Sequence, residues 1–108
     1  MAASMKSYTH PALKDIPLAA VMQALSDPCR IAIVRAMLRA RDKELTCTEI
    51  PLKVSKATRS HHFEALRGAG LIVTRAEGTK CLSSLRRPDF DKRFPGLLDL
   101  IAVDKGEK

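Results

Sequence analysis

Three observations predict that this 108-residue chain is mainly α-helical with one β-hairpin. Apolar residues recur at helical spacing from Pro17 onward. Helix-start signals stand at Asp27-Pro28 and at Ser55, and each precedes a segment of helical pattern. An alternating, β-branched stretch over residues 71–76 is followed, after a short turn, by a second stretch over 80–85, which is typical of two paired strands.

A proline-containing turn is expected to join the first two helices. Asp27 can cap the second helix, and Pro28 suits its first position, where no amide proton is missed. This helix is expected to run to about Arg39 or Ala40. The apolar face of the first helix consists of Leu18, Val21, Met22 and Leu25. The buried stripe of the second consists of Ile31, Val34, Met37 and Leu38.

Two further helices are expected before the hairpin. The segment Thr46-Cys47-Thr48-Glu49 has the form of a capping box, and Pro51 limits the helix that it starts to about one turn. Ser55 is the N-cap of the strongest predicted helix, over 56–67, which stops at Gly68-Ala69-Gly70.

A last helical region opens at Arg86-Arg87-Pro88 and breaks near Pro95. The element order helix, helix, short helix, helix, hairpin, helix describes a winged helix-turn-helix. We assign residues 15–104 to this domain, 1–14 to a flexible N-terminal leader and 105–108 to a C-terminal tail. The apolar stripe of the last region consists of Phe94, Leu97, Leu98 and Ile101.

The charge balance favours a polyanionic partner. Lys and Arg number 19 against 12 Asp and Glu, which gives a net charge of +7 and a pI near 9.7. We therefore expect double-stranded DNA as a partner rather than a membrane. No segment resembles a signal peptide or a membrane span, so a cytoplasmic, nucleoid-associated protein is expected. Gly-rich phosphate loops and hydrolase motifs are missing from the sequence, so we expect neither an enzyme nor a cofactor.

The predicted helix over 56–67 has two distinct faces. Positions 59, 62, 63 and 66 share the inward face, whereas 56, 57, 60, 61 and 64 share the outward one. The outward face offers short hydroxyls, a methyl and the imidazole of His61 to base edges, whereas His62 is expected to be packed and hydrogen-bonded. Basic side chains near this helix and on the hairpin are candidates for phosphate contacts. The predicted DNA-binding residues are Ser55, Lys56, Ala57, Thr58, Arg59, Ser60, His61, Arg67, Arg75 and Lys80.

Two segments resemble the ArsR/SmtB family of bacterial winged-helix repressors. Residues 24–30, ALSDPCR, look like that family's ALSDPTR, and residues 60–71 look like its SHHL..LR.AGL signature. The resemblance covers about residues 16–102 and implies a homodimeric, operator-binding repressor that dimerises through its first and last helices. The implied interface residues are Leu18, Val21, Met22, Leu25, Phe94, Leu97, Leu98 and Ile101. The chain departs from the family at Arg59, where an aliphatic residue is usual, and at Pro51, which shortens one helix.

The effector is unknown from the sequence. Metal sensors of this family use a Cys-x-Cys pair on the short helix or His and carboxylate ligands on the last helix. Here the short helix has only Cys47 and the last region has no His, so no metal site is predicted. Cys29 and Cys47 stand at helix starts, where a thiol is activated, so thiol or redox sensing stays open beside inert packing. A protein-interaction or architectural winged helix that does not read sequence is the alternative function.

Overall fold

A computed structural model describes Tyr8 and residues 10–41, 43–50 and 52–104. Five α-helices and three strands lie in this part of the chain, with two short 3₁₀ helices at Leu13–Asp15 and Cys47–Glu49. The helices and the hairpin follow one another in the predicted order, whereas the 3₁₀ helix Leu13–Asp15 and the first strand were not predicted. The α-helices are α1 Leu18–Ala24, α2 Pro28–Ala40, α3 Lys56–Gly68, α4 Arg87–Arg93 and α5 Leu97–Val103. The strands are β1 Leu45–Thr46, β2 Ile72–Glu77 and β3 Lys80–Leu85. No helix among these residues is both long and apolar enough to cross a membrane.

The strands form one antiparallel sheet in the order β1-β3-β2. The hairpin register pairs Ile72 with Leu85 at its base and Glu77 with Lys80 at its tip, so the turn consists of Gly78-Thr79. β1 adds a third strand, with Leu45 opposite Ser83. The hairpin is therefore the wing of a winged helix-turn-helix, and the predicted fold class is confirmed.

The helix starts follow the predicted caps. Asp27 accepts a hydrogen bond from the amide of Cys29 at 2.7 Å, with Pro28 at the first helical position. Ser55 Oγ accepts from the amide of Thr58 at 3.1 Å. The capping box between Thr46 and Glu49 is also formed, and the helix that it starts is the single 3₁₀ turn Cys47–Glu49. Pro51, which was predicted to end that helix, lies outside the described residues.

An aliphatic core lies between the helices and the sheet. Ile33, Leu71 and Phe90 are completely buried in it, although none of the three was assigned to a predicted stripe. The aromatic rings of Phe90 and Phe94 lie 5.0 Å apart, a tilted arrangement that aromatic pairs favour. Because the chain has only four aromatic residues in 108, aliphatic packing supplies most of the remaining core.

Residues of the predicted leader pack on the domain. Leu13 is buried with Ile16 over Gly70, which has a positive φ of 78° and ends the turn after α3. A side chain at Gly70 would collide with Leu13 and Ile16, so both backbone conformation and close packing require glycine there. Arg86 donates to the carbonyl oxygen of Pro11 at 2.7 Å. The leader assignment as a whole stays a prediction, because most of residues 1–9 lie outside the described chain.

His10 makes the stability of this packing depend on pH. Its Nε2 accepts a hydrogen bond from the amide of Thr74 at 3.0 Å, which only an unprotonated nitrogen can do. Desolvation, followed by the charges of Arg86 and Arg67, lowers the pKa of His10. The unfolded chain therefore takes up this proton at a higher pH than the folded chain. The contribution of His10 to stability is complete above the ordinary histidine pKa of about 6.5 and is lost as the pH falls from there through the lower pKa of the folded chain.

We expect His10→Gln to flatten this pH dependence. The glutamine oxygen can still accept from Thr74 but does not titrate. Urea unfolding between about pH 7.5 and 5.5 should show a smaller loss of unfolding free energy for the variant than for the natural chain. Equal losses in the two proteins would contradict the assigned role of His10.

Candidate nucleic-acid interface

The helix α3 presents one face to solvent and buries the other, as its sequence predicts. His62, Phe63 and Leu66 are buried, and Arg59 is half-buried at the edge of the same face. The side chains of Lys56, Ala57, Thr58, Ser60, His61 and Glu64 are exposed. Lys56 is the first residue of α3, so its charge stands at the positive dipole end of the helix.

This exposed face has the chemistry that base edges and phosphates require. Ser60 and His61 have hydrogen-bonding groups close to the helix backbone. Ala57, one turn earlier, has a small side chain that lets a base pair approach the helix closely. Lys56 places a cation at the first turn. Glu64 adds one negative charge further along the face, so contact with an anion is favoured at the N-terminal half of the helix.

The two adjacent histidines point in different directions. Their ring centroids lie 6.2 Å apart, with 48° between the ring planes. His61 is exposed, whereas His62 is only 6% exposed and accepts a hydrogen bond from Arg30 Nε at 3.1 Å. The prediction that His62 is a packed, hydrogen-bonded residue is confirmed. His61 is therefore the member of the pair whose side chain can reach a base edge of a bound duplex.

A groove separates the start of α3 from the wing. It has a volume of about 690 Å³, and its cationic members are Lys56 on the helix and Lys80 on β3. Glu49, also in the lining, keeps a low pKa because it accepts hydrogen bonds from the Thr46 backbone and side chain, with Lys80 contributing a smaller effect. Because one lysine comes from the helix and the other from the wing, a phosphate group in the groove can contact cations of both elements.

Arg75, predicted as a phosphate contact, is held by an acidic residue. Its Nε and Nη2 donate to the two carboxylate oxygens of Glu44, both at 2.7 Å, and Nη1 lies 3.6 Å from Glu77. These hydrogen bonds hold the pKa of Glu44 below its ordinary value and raise the pKa of Arg75. The ion pair is exposed at the wing, so a phosphate can replace Glu44 there.

Two other predicted contacts are directed toward the protein itself. Arg59 Nη2 donates to the carbonyl oxygen of Leu52 at 3.2 Å, while its buried Nε has no hydrogen-bond partner within the described ranges. Arg67 lies over the ring of Tyr8, with 4.7 Å between its guanidinium carbon and the ring centroid, and Nη1 is 3.5 Å from Thr74 Oγ1. In this arrangement neither guanidinium extends from the exposed face of α3.

A separate apolar surface lies on α1 and α5. Four large side chains are conspicuously exposed there: Leu18 at 50%, Met22 at 49%, Leu100 at 61% and Val103 at 70%. Beside them, a groove of about 460 Å³ runs between α1, α2 and α5. We call Leu18, Met22, Leu100 and Val103 the apolar patch.

The patch differs from the residues that the resemblance implied. Leu18 and Met22 belong both to the apolar patch and to the implied interface. Leu97, which belongs only to the implied interface, is half-buried and lines the groove. The remaining implied residues are buried in the core of the chain itself and offer little surface to a partner: Val21, Leu25, Phe94, Leu98 and Ile101. Leu100 and Val103 were not predicted, because a short helix broken by Pro95 does not reveal which side of it meets the core.

The cysteines occupy different surroundings. Cys29 is half-buried at the second position of α2, as predicted. Cys81 is also half-buried, and its Sγ lies 2.9 Å from the hydroxyl of Tyr8. The side chain of Cys47 lies outside the described part of the chain, so the redox hypothesis for Cys29 and Cys47 stays a prediction.

Comparison with known proteins agrees with this geometry. Residues 25–75, which contain α2, α3 and most of β2, match the family model described as a helix-turn-helix domain. The chain is 41% identical over 85 residues to an uncharacterized HTH-type transcriptional regulator, YceK, of Bacillus subtilis (strain 168). The match covers 77% of this chain and 84% of that relative. The chain belongs to the HTH-type transcriptional regulators, and it is a DNA-binding protein of that class.

Proposed function

We propose that this protein is a homodimeric repressor of the ArsR/SmtB type that binds a pseudo-palindromic operator through two copies of α3. The observation that carries the proposal is the exposed, polar and cationic N-terminal half of α3. In winged helix-turn-helix proteins the second helix of the motif enters the major groove, and the preceding short helix lies against the backbone. Ser60 and His61 are the proposed base readers, and Lys56 and Lys80 the proposed phosphate contacts.

The apolar patch supports the homodimer. A small monomeric domain rarely keeps several large apolar side chains half exposed on two helices that border one groove, and a second copy of the same surface would cover them. The patch lies on α1 and α5, the first and last helices, where the resemblance places the interface. The proposed function does not depend on any particular effector.

Selection of bound duplexes from a random pool tests the proposed function. At near-physiological salt we expect one enriched sequence with two inverted half-sites centred about 10 bp apart, or a multiple of that distance. Specific binding should exceed binding to unrelated duplex by at least about 10³-fold. Enrichment of no sequence, with uniform and strongly salt-dependent binding, would support the architectural alternative instead. Absence of duplex binding would favour the protein-interaction alternative.

Glu44 should restrain DNA binding through Arg75. In Glu44→Gln the carboxylate charge is removed, and Arg75 becomes free to meet a phosphate. We expect higher operator affinity and a salt dependence that steepens by about one unit in the slope of log K against log salt. Fluorescence anisotropy over a salt series measures both quantities.

A matched variant separates this effect from the loss of a negative charge alone. Glu64→Gln removes the same charge from an exposed position on α3 that has no ion pair with Arg75 in the described structure. In an Arg75→Ala background, Glu44→Gln should no longer change operator affinity. Glu64→Gln should change operator affinity to the same extent with or without Arg75. An undiminished Glu44→Gln effect without Arg75 would contradict the phosphate role of Arg75.

A further inference from the structure

Three potential metal ligands meet where the start of α2 packs against α3. Asp27 is the N-cap of α2, Cys29 is two residues further, and His62 is on the buried face of α3. One ligand atom from each residue lies within 4.8 Å of the other two. Asp27 and Cys29 are half-buried and His62 is buried. The sequence separates His62 from the other two by more than thirty positions, so their spacing gave no indication of this cluster.

The donor set is that of a zinc site. Zn²⁺ binds cysteine sulfur, histidine nitrogen and carboxylate oxygen, and three protein ligands with a water in the fourth position make a common tetrahedral arrangement. Bonds of about 2.0–2.3 Å place tetrahedral donors roughly 3.3–3.8 Å apart. The ligand atoms of the three side chains therefore need to approach one another by about 1.5 Å at most, which rotamer adjustment at a half-buried helix start can supply.

The cationic side chain of Arg30 contacts His62. Arg30 Nε donates to Nδ1 of His62 at 3.1 Å, and Nη1 donates to the carbonyl oxygen of Ala24 at 3.3 Å. The Nδ1 lone pair of His62 is consequently directed at a positive charge. Arg30 also borders a groove of about 300 Å³ between α1 and α3, which offers its guanidinium another place to lie.

We propose that Asp27, Cys29 and His62 form a binding site for a zinc-class divalent cation that replaces Arg30 at Nδ1 of His62. On binding, the Cys29 thiol releases its proton to solvent and bonds through the thiolate, while Asp27 keeps Oδ1 on the Cys29 amide as the helix cap. The site differs from both positions considered from the sequence, on the short helix and on the last helix. Since His62 follows His61 on α3, an occupied site would tie the exposed face of that helix to α2.

Metal binding by the full chain, without DNA, tests this inference separately from the proposed function. Metal-free protein is titrated with Zn²⁺ in competition with a chromophoric chelator, and with Co²⁺ while the near-ultraviolet spectrum is recorded. We expect one ion per chain and a cysteine-to-cobalt charge-transfer band. Cys29→Ser should abolish the band and weaken Zn²⁺ binding by more than about 100-fold. Mutation of a residue that only hydrogen-bonds to a zinc ligand already weakens metal affinity by about 10–100-fold, and loss of a ligand itself should cost more.

Two matched variants locate the site. Cys81→Ser removes a thiol from the wing, and His61→Gln removes the neighbouring exposed imidazole; both should keep the stoichiometry and the cobalt band. Asp27→Asn, which preserves the helix cap, should weaken binding while circular dichroism stays unchanged. The inference is overturned if the natural chain binds no ion at one equivalent, if Cys29→Ser binds like the natural chain, or if Cys81→Ser or His61→Gln removes the band.

Discussion

Met22→Lys combined with Leu100→Lys is expected to convert the proposed dimer into a folded monomer that binds its operator poorly. Both side chains are exposed in the single chain, at 49% and 61%, so the charges do not disturb the core. In a dimer the four lysines would face one another across a dry surface, where like charges repel strongly. Loss of the second half-site contact should weaken operator binding by roughly 10²–10⁴-fold.

Sedimentation equilibrium and operator titration measure this effect together. Gln23→Lys serves as the matched control, because Gln23 is exposed on α1 beside Met22 but borders the groove toward α3 instead of the apolar patch. That control should remain dimeric. Leu98→Glu would not test the interface, because Leu98 is completely buried and a charge there would disturb folding of the single chain. A double-lysine variant that still sediments as a dimer would overturn the proposed interface.

Ser60→Ala and His61→Ala are expected to change which base pairs the protein prefers. If these side chains bond to base edges, each removal should reduce discrimination at one position of every half-site by roughly 1–3 kcal/mol. Competition between the selected operator and single-substitution operators measures the change. Both side chains are exposed in the free protein, so the variants should unfold at the same urea concentration as the natural chain.

Lys80→Ala supplies the contrasting case. As a phosphate contact, Lys80 should contribute equally to all sequences, so its removal weakens specific and unrelated duplexes alike and reduces the salt slope by about one unit. If Lys80→Ala and His61→Ala gave the same pattern of loss, the division between base readers and phosphate contacts would be wrong.

Local signals in the sequence were sufficient for most of the fold. Asp27, Ser55 and the Thr46–Glu49 box each act within a few residues, and all three start a helix as predicted. The two faces of α3 follow from helical periodicity alone. The strand β1 was missed because two residues carry no alternation, and its pairing with Ser83 depends on the chain returning from far along the sequence.

The site could be predicted only in part, because many of its contacts join residues that are distant in the sequence. The exposure of His61 and the burial of His62 follow from their positions on one helix. The partners of Arg75, Arg67 and Arg59 come from other elements, so their ion pair, ring contact and backbone hydrogen bond required the folded chain. The cluster of Asp27, Cys29 and His62 likewise exists only because α2 packs against α3.

An NMR titration of the labelled protein with its selected duplex is the most direct test of the central claim. We expect the largest chemical-shift changes at the amides of residues 55–61 and at the His61 ring, with smaller changes at the tip of the wing. A duplex that binds tightly while these signals stay in place, and shifts residues of the apolar patch instead, would contradict recognition through α3.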